Sequence, residues 1–254
     1  MSDQASLDGQ VAVVTGGNGG IGLAIAAELA GAGSAVAIWG RSVQKNEAAT
    51  ASLAGQGAEV LATACDVSSA AGVAAATAEV MDRFGRIDVC FANAGIGGSG
   101  GILDMPLEEW HRVLSVNLDG TFLAVQHCAR AMVEGGEGGA IVMLSSTSAM
   151  YGAPRFPHYA ASKAGVLGLM RSVAVDLAPH KIRVNALLPG WTTTDMTQSG
   201  YESERFRKAT TKRTPVGRWA APGEIGRAAM FLADRSHVFH TGQTLVVDGG
   251  YTIF

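Results

Sequence analysis

Tyr159 and Lys163 stand four residues apart, and Ser146 precedes the tyrosine by thirteen. Residues 159–178 are mostly small or apolar and contain no proline, so the spacing predicts a helix there. Residues four apart share one helix face, which projects the phenol and the ammonium together. A phenol ordinarily keeps its proton to about pH 10. A cation one turn away favours the phenolate and lowers that value. A tyrosine tuned in this way can give a proton to a developing alkoxide, or take one from an alcohol. Ser146 reaches the same oxygen if its strand ends beside that helix. Taken alone, Tyr-x3-Lys also describes an ordinary solvated pair, so the rest of the chain decides.

The elements that would position this trio begin at the N-terminus. Val11-Ala12-Val13-Val14 is a short apolar run with three β-branched residues, the mark of a strand buried on both faces. Thr15-Gly16-Gly17-Asn18-Gly19-Gly20-Ile21-Gly22 follows at once, and an alanine-rich helical stretch follows that. Strand, glycine turn and helix in this order are the setting in which a phosphate cradle is expected. The glycines let backbone approach a pyrophosphate closely, and the helix start offers unpaired N–H groups to the anion.

Apolar strand-like runs at 11–14, 35–39, 59–64, 87–92, 140–144, 183–188 and 245–247 alternate with helical stretches at 20–32, 42–54, 69–84, 107–132, 159–178 and 222–233. Such alternation predicts an α/β doubly wound fold, a parallel sheet with helices on both faces. Ligands in these sheets bind at the carboxyl ends of the strands. The glycine turn, Asn93-Ala94-Gly95, Ser145-Ser146 and Pro189-Gly190 all fall at such ends. No linker or repeat interrupts the chain, and 95–101 and 134–139 read as loops.

The glycine turn, spaced Thr-Gly-x3-Gly-x-Gly, joins Asp66-Val67, Asn93-Ala94-Gly95, Asn117, Ser146, Tyr159, Lys163, Pro189-Gly190 and Val247-Asp248-Gly249-Gly250 in one ordered series. The series resembles the short-chain dehydrogenase/reductase family, from about residue 7 to residue 250. The resemblance implies a single Rossmann-type, NAD(P)-binding domain over residues 1–254, with a seven-stranded parallel sheet and a mobile substrate lid around 192–215. It implies hydride transfer between a nicotinamide and a carbonyl or secondary alcohol. Tyr159 would exchange the proton and Ser146 would hydrogen-bond the substrate oxygen. Lys163 would lower the tyrosine pKa and hold the nicotinamide ribose, and Asn117 would support a water in a proton relay. Gly16, Asn18, Gly20, Ile21, Gly22, Asn93, Ala94, Gly95, Pro189 and Gly190 would line the cofactor. Asp66 and Val67 would meet the adenine, and the Thr192 backbone and Thr194 hydroxyl would hold the carboxamide. Relatives assemble as homotetramers through the tail at 241–250.

Gly40 stands where NAD-preferring relatives carry an acid, and Arg41 follows it with a guanidinium suited to a 2′-phosphate. NADP is therefore the favoured cofactor and NAD the other candidate. Gly19 occupies the place where many NADP-dependent relatives put a second basic residue. Met150, Tyr151, Phe156 and Trp191 are candidate pocket walls; their bulk favours a bulky or hydrophobic carbonyl compound, or else they pack against a neighbouring subunit or the lid. The segment 200–213 carries Arg205, Arg207, Lys208, Lys212 and Arg213 against Glu202 and Glu204. That excess either solvates a lid helix or attracts a 3-oxoacyl thioester on a carrier protein or CoA. A silent dinucleotide sensor is the rival outside the enzymes, and such proteins lose the tyrosine or lysine kept here.

Composition excludes other classes. A net charge of −3 gives no reason to expect nucleic acid or an anionic membrane as partner. No apolar run approaches the roughly 18 residues that a bilayer requires. Met1-Ser2-Asp3-Gln4 lacks leader character, and a cytosolic protein is expected. Charged residues make up only 16% of the chain, which favours a buried subunit interface. Cys65, Cys90 and Cys128 read as buried thiols. His237 and His240 read as surface residues near a turn, and no metal site is expected.

Overall fold

The computed structural model describes residues 6–55 and 57–254; the stretch 1–4 read above for leader character lies outside them. Among the described residues, seven strands form one parallel sheet: β1 (Val11–Thr15), β2 (Ala35–Gly40), β3 (Val60–Ala64), β4 (Val89–Ala92), β5 (Gly139–Leu144), β6 (Ile182–Pro189) and β7 (Thr244–Val247). Their order is β3-β2-β1-β4-β5-β6-β7, with Val13 paired to Ala37 on one side and Cys90 on the other. The chain steps outward from β1 to β3, then returns to lay β4 against β1. That reversal opens a crevice at the carboxyl ends of β1 and β4.

Alternate residues of β1 feed two cores. Val11 and Val13 join one with Val73 and Val80 of α3 (Ala70–Phe84), Ala124 and Cys128 of α5 (Gly120–Gly135), and Val166 and Met170 of α6 (Pro157–Leu177). Ala12 and Val14 join the other with Ile25 and Leu29 of α1 (Gly20–Gly31), Leu53 of α2 (Val43–Ala54), and Ile225 and Leu232 of α9 (Pro222–Ala233). Burial on both faces is why these strands read as continuous apolar runs rather than alternating ones.

Capping refines the expected boundaries. Ser42 and Ser69 are N-caps, accepting from the amides of Lys45 and Gly72, so α2 and α3 start one residue later than expected. Pro157 opens α6 two residues early, as proline at a first helical position does, and this places Tyr159 in the first turn.

The expected single helix over 107–132 is instead two. α4 (Leu107–Leu114) passes through a π-helical turn at Ser115–Asp119 into α5. The Asn117 side chain sits at the centre of that turn and accepts from the Ile96 amide at 2.8 Å while donating to the Ile96 carbonyl at 3.0 Å. A wider turn of this kind commonly marks a functional site, and no periodicity in the sequence announces it. α7 (Gln198–Glu202) and α8 (Glu204–Lys212) then lie between β6 and α9. Among the described residues, no helix is long and apolar enough to cross a membrane.

Candidate active site

The glycine turn forms the floor of the crevice. A side chain on Gly22 would lie 2.2 Å from the Gly16 carbonyl oxygen and 2.4 Å from Asn93 Nδ2, so α1 packs against the turn only because that position is bare. Gly19, the cap of α1, offers no side-chain acceptor to the helix start, and the first turn holds no acid. The amides around Gly20, Ile21 and Gly22 therefore present positive dipole to the crevice, as an anion site requires. Gly20 faces Thr194 across it, with Thr194 Cγ2 3.3 Å from where a Cβ would stand.

Asn93 closes the neighbouring strand end from within. Its Nδ2 donates to the Thr15 carbonyl at 2.8 Å, and the Thr15 hydroxyl accepts from the amides of Asn93 and Ala94. Asn93 thus fixes β4 to β1, and its side chain is committed to that tie. Pro189 ends β6, and Gly190 donates to the Val247 carbonyl at 2.9 Å.

At the far end of the crevice, Asn18 Nδ2 donates to Asn46 Oδ1 at 2.7 Å, and the buried Asn46 in turn donates to the carbonyls of Gly40 and Thr63. A Cβ at Gly40 would lie 2.0 Å from Asn18 Nδ2, so the asparagine fills the space where an acid would grow. Arg41 beside it is exposed. Asp66 is exposed, with its carboxyl lowered by hydrogen bonds from the Ser68 hydroxyl and amide, while Val67 is buried beneath it. Lys45, on the first turn of α2, reaches across to Asp195 at 2.7 Å.

The chemistry-bearing residues converge at the ends of β4 and β5. Lys163 is buried, donates from Nζ to the Leu144 carbonyl at 2.8 Å, and lies 3.4 Å from where a Gly95 Cβ would stand. Ser145 donates to the Lys163 carbonyl at 2.8 Å, locking β5 to α6. Asn117 donates to Ser162, and Ser162 to the Tyr159 carbonyl, at 3.2 and 2.7 Å. The Ser146 hydroxyl accepts from the Ser148 amide and also acts on the Tyr159 phenol.

Burial pushes the Tyr159 phenol above its ordinary value, and Ser146 pulls it back. The expected lowering by Lys163 does not appear. Its Nζ is 5.8 Å from the phenol ring centroid and spends a proton on Leu144, and its own desolvation brings it down to about 8. Desolvation thus acts on both groups, and one turn of helix does not bring their polar ends into contact.

The buried His158 was not singled out in the sequence. Its Nδ1 accepts from the Tyr159 amide at 2.9 Å, and its Nε2 faces Glu109 at 3.5 Å, where Glu109 also holds Arg112. Adjacency to Tyr159 was the one available signal.

The substrate side is built differently. Trp191 stacks on Trp219 at 4.9 Å and meets Phe206 edge-on at 5.0 Å. Tyr251 lies 6.5 Å from Trp191 and 5.5 Å from Tyr151. Met150 and Phe156 are turned toward solvent at 56% and 36% exposure. The Thr192 carbonyl accepts from the Thr197 hydroxyl at 2.6 Å, and the Thr194 hydroxyl shares a hydrogen bond with Thr197 at 3.1 Å. Trp219, Phe206 and Tyr251 carry no motif, and nothing in the spacing points to them.

The three cysteines are free and buried, and burial pushes the Cys65 thiol up to about 11. His237 and His240 flank a turn as expected and stay part-exposed, with Phe231 packed against both rings at 4.2 and 5.0 Å.

A family model described as enoyl-(acyl carrier protein) reductase matches residues 16–252. D-threitol dehydrogenase of Mycolicibacterium smegmatis is 39% identical over 97% of this chain and 94% of its own. A 3-oxoacyl-[acyl-carrier-protein] reductase of Chlamydia pneumoniae is 36% identical over 97% of this chain and 98% of its own. Among solved structures, a gluconate 5-dehydrogenase from Burkholderia cenocepacia in complex with NADP and tartrate superposes with a TM-score of 0.94 at 36% identity, covering 99% of this chain and 98% of that one.

Proposed function

This chain belongs to the short-chain dehydrogenase/reductase family, and on that premise we propose that Tyr159 is its general acid and base, with Ser146 and Lys163 completing the catalytic set and Asn117 holding it in place. The protein is an NAD(P)-dependent oxidoreductase in which the bound nicotinamide supplies or accepts the hydride of a CH–OH or carbonyl carbon. The convergence of Gly95, Asn117, Lys163 and Ser146 around Tyr159 is the observation that carries the assignment. Ser146 and Tyr159 hold the substrate oxygen, and Tyr159 exchanges its proton. Lys163 holds a positive charge below pH about 8 beside Gly95 and offers it to the nicotinamide ribose. Asn117 acts as a positioning residue, since both ends of its amide are committed to Ile96.

Gly16, Asn18, Gly20, Ile21 and Gly22 cradle the pyrophosphate. Asp66 and Val67 face the adenine, while Asn93, Ala94, Gly95, Pro189 and Gly190 wall the nicotinamide half. The Thr192 amide and the Thr194 hydroxyl take the carboxamide, the latter by exchanging its bond with Thr197. NADP is the preferred cofactor: Asn18 fills the place of an acid at Gly40, and Arg41 stands exposed beside it.

The substrate is a compact polar CH–OH compound rather than the bulky or hydrophobic one that side-chain bulk suggested, since Met150 and Phe156 face solvent and relatives are named for threitol, rhamnose and gluconate. Trp191 closes the pocket, and the segment 192–215 acts as a lid on one catalytic domain. The relatives named as 3-oxoacyl-[acyl-carrier-protein] reductases and the solvent-facing Arg205 and Lys212 favour a thioester substrate as the second reading. An apolar groove on the outer faces of α5 and α6, lined by Phe122, Val125, Ala129 and Val173, supports assembly into a homotetramer. Three buried free thiols accord with a reducing, cytosolic compartment.

A fluorescence titration with NADPH and NADH tests the cofactor assignment. Arg41→Ala is expected to weaken NADPH binding by roughly ten-fold, the scale of a charged hydrogen bond, with little effect on NADH. Equal affinity for both cofactors in the unaltered protein refutes the NADP preference, and binding of neither refutes the enzyme.

A further inference from the structure

We propose that Arg213 reads a carboxylate on the substrate, so that the preferred substrates are small hydroxy acids rather than neutral polyols; this rests on the oxidoreductase reading above and deepens it. The guanidinium carbon of Arg213 lies 4.4 Å from the ring centroid of Tyr251 and 5.0 Å from that of Tyr151. Two aromatic faces hold the cation in place without using its in-plane N–H donors. Among the described residues, no carboxylate lies within ion-pair distance of it. Arg218, a little further along the same segment, has both terminal nitrogens on Glu224 at 2.7 Å. Arg213 thus stands with its pairing edge uncommitted, and a guanidinium edge matches a carboxylate in two parallel hydrogen bonds.

Its position ties the cation to the reacting end of the pocket. The Tyr151 hydroxyl is 3.3 Å from Thr147 Oγ1, and Thr147 follows Ser146 directly in the chain. Tyr251 lies edge-on to Trp191, which follows Pro189-Gly190. The two tyrosines therefore reach from the Ser146 side and the Trp191 side of the pocket, and Arg213 bridges them. A substrate that presents its alcohol to Ser146 and Tyr159 meets the guanidinium with its other end. The Tyr151 and Tyr251 phenols add donors alongside the cation. Burial holds the Tyr151 phenol above its ordinary pKa, so it stays protonated as such a donor.

The pocket carries its own reporter, because Trp191 and Trp219 stack beside Tyr251. The NADP-loaded protein is titrated with D-gluconate and with the neutral polyol D-glucitol, following tryptophan emission. Gluconate is expected to saturate at lower concentration than glucitol. Arg213→Gln is expected to weaken gluconate by roughly ten- to hundred-fold and glucitol by far less, the loss of a paired charge-assisted contact. Arg171→Gln, which removes an exposed charge on α6 outside the pocket, serves as control and leaves the gluconate titration unchanged. Equal loss for both ligands makes Arg213 a brace between lid and tail, and overturns the assignment. So does failure of gluconate to bind, or an Arg213-dependent response to coenzyme A alone, which would assign the cation to a phosphate. A separate NADPH titration distinguishes these outcomes from failure of the oxidoreductase reading, since that reading falls only if the dinucleotide does not bind.

Discussion

The two walls of the crevice are held by different forces. On the cofactor wall, polar side chains tie to backbone: the half-buried Asn93 to Thr15, and the buried Asn117 to Ile96, Asn46 to Gly40 and Lys163 to Leu144. Each bond is directional, and where it is buried, as at Asn46 and Lys163, removing one partner leaves the other unsatisfied at a cost of about 1–3 kcal/mol. On the substrate wall, Tyr151, Trp191, Phe206, Trp219 and Tyr251 meet through ring faces and edges, with Arg213 laid over two of them. Stacking tolerates sliding and exchange of side chains. The difference teaches that one wall is set for a single cofactor geometry, while the other can be refitted to new substrates without disturbing it.

The largest break in this comparison is expected at the boundary between the walls. Tyr159→Phe should leave NADPH affinity near normal while cutting turnover by about 100-fold or more, the scale of a positioned acid–base group. Stopped-flow and steady-state rates with any accepted alcohol measure it, and near-normal turnover would remove Tyr159 from the mechanism.

A second break probes the rigid wall. Gly40→Asp puts a carboxylate where Asn18 Nδ2 already lies, 2.0 Å from the new Cβ. NADPH affinity is expected to fall by roughly thirty-fold from the combined crowding and like-charge repulsion. NADH affinity should not rise to compensate unless Asn18 is also shortened. If the single substitution converts the protein into a good NADH binder, the Asn18 contact is not what shapes this end of the crevice.

The smallest effect separates charge from packing at Lys163. Desolvation lowers its ammonium to about 8, well below the unfolded value. The unfolded chain therefore binds more protons between about pH 8 and 10.5, and stability rises with pH across that window. NADPH capture should move the other way, with its second-order rate or affinity falling roughly ten-fold between pH 7 and 9 as the charge is lost. Thermal unfolding and cofactor titration over the same pH series give the two slopes. A flat binding profile would mean that the lysine holds its place by the Leu144 bond alone.

Much of the site was legible because its residues act through local geometry. Glycines beside a strand end, a tyrosine and a lysine one turn apart, and Ser146 at the end of β5 each announce themselves over a few residues. The π-turn at Asn117 was not legible, since the bonds its side chain makes there reach Ile96, in a separate loop. Nor was the electrostatic state of Tyr159 and Lys163. Spacing brings them onto one face, but burial and the Leu144 carbonyl decide how their protons are held.

The sequence by itself determined the doubly wound sheet, the glycine turn between β1 and α1, and the trio proposed to react. Buried parallel strands need unbroken apolar runs, and helix and turn geometry repeat over short distances. Tertiary structure alone decided which side chains gather around Arg213 on the proposed substrate wall. Tyr151, Arg213 and Tyr251 come from three separate segments, and stacking energies too weak to mark a sequence become specific only after the fold has brought the rings together.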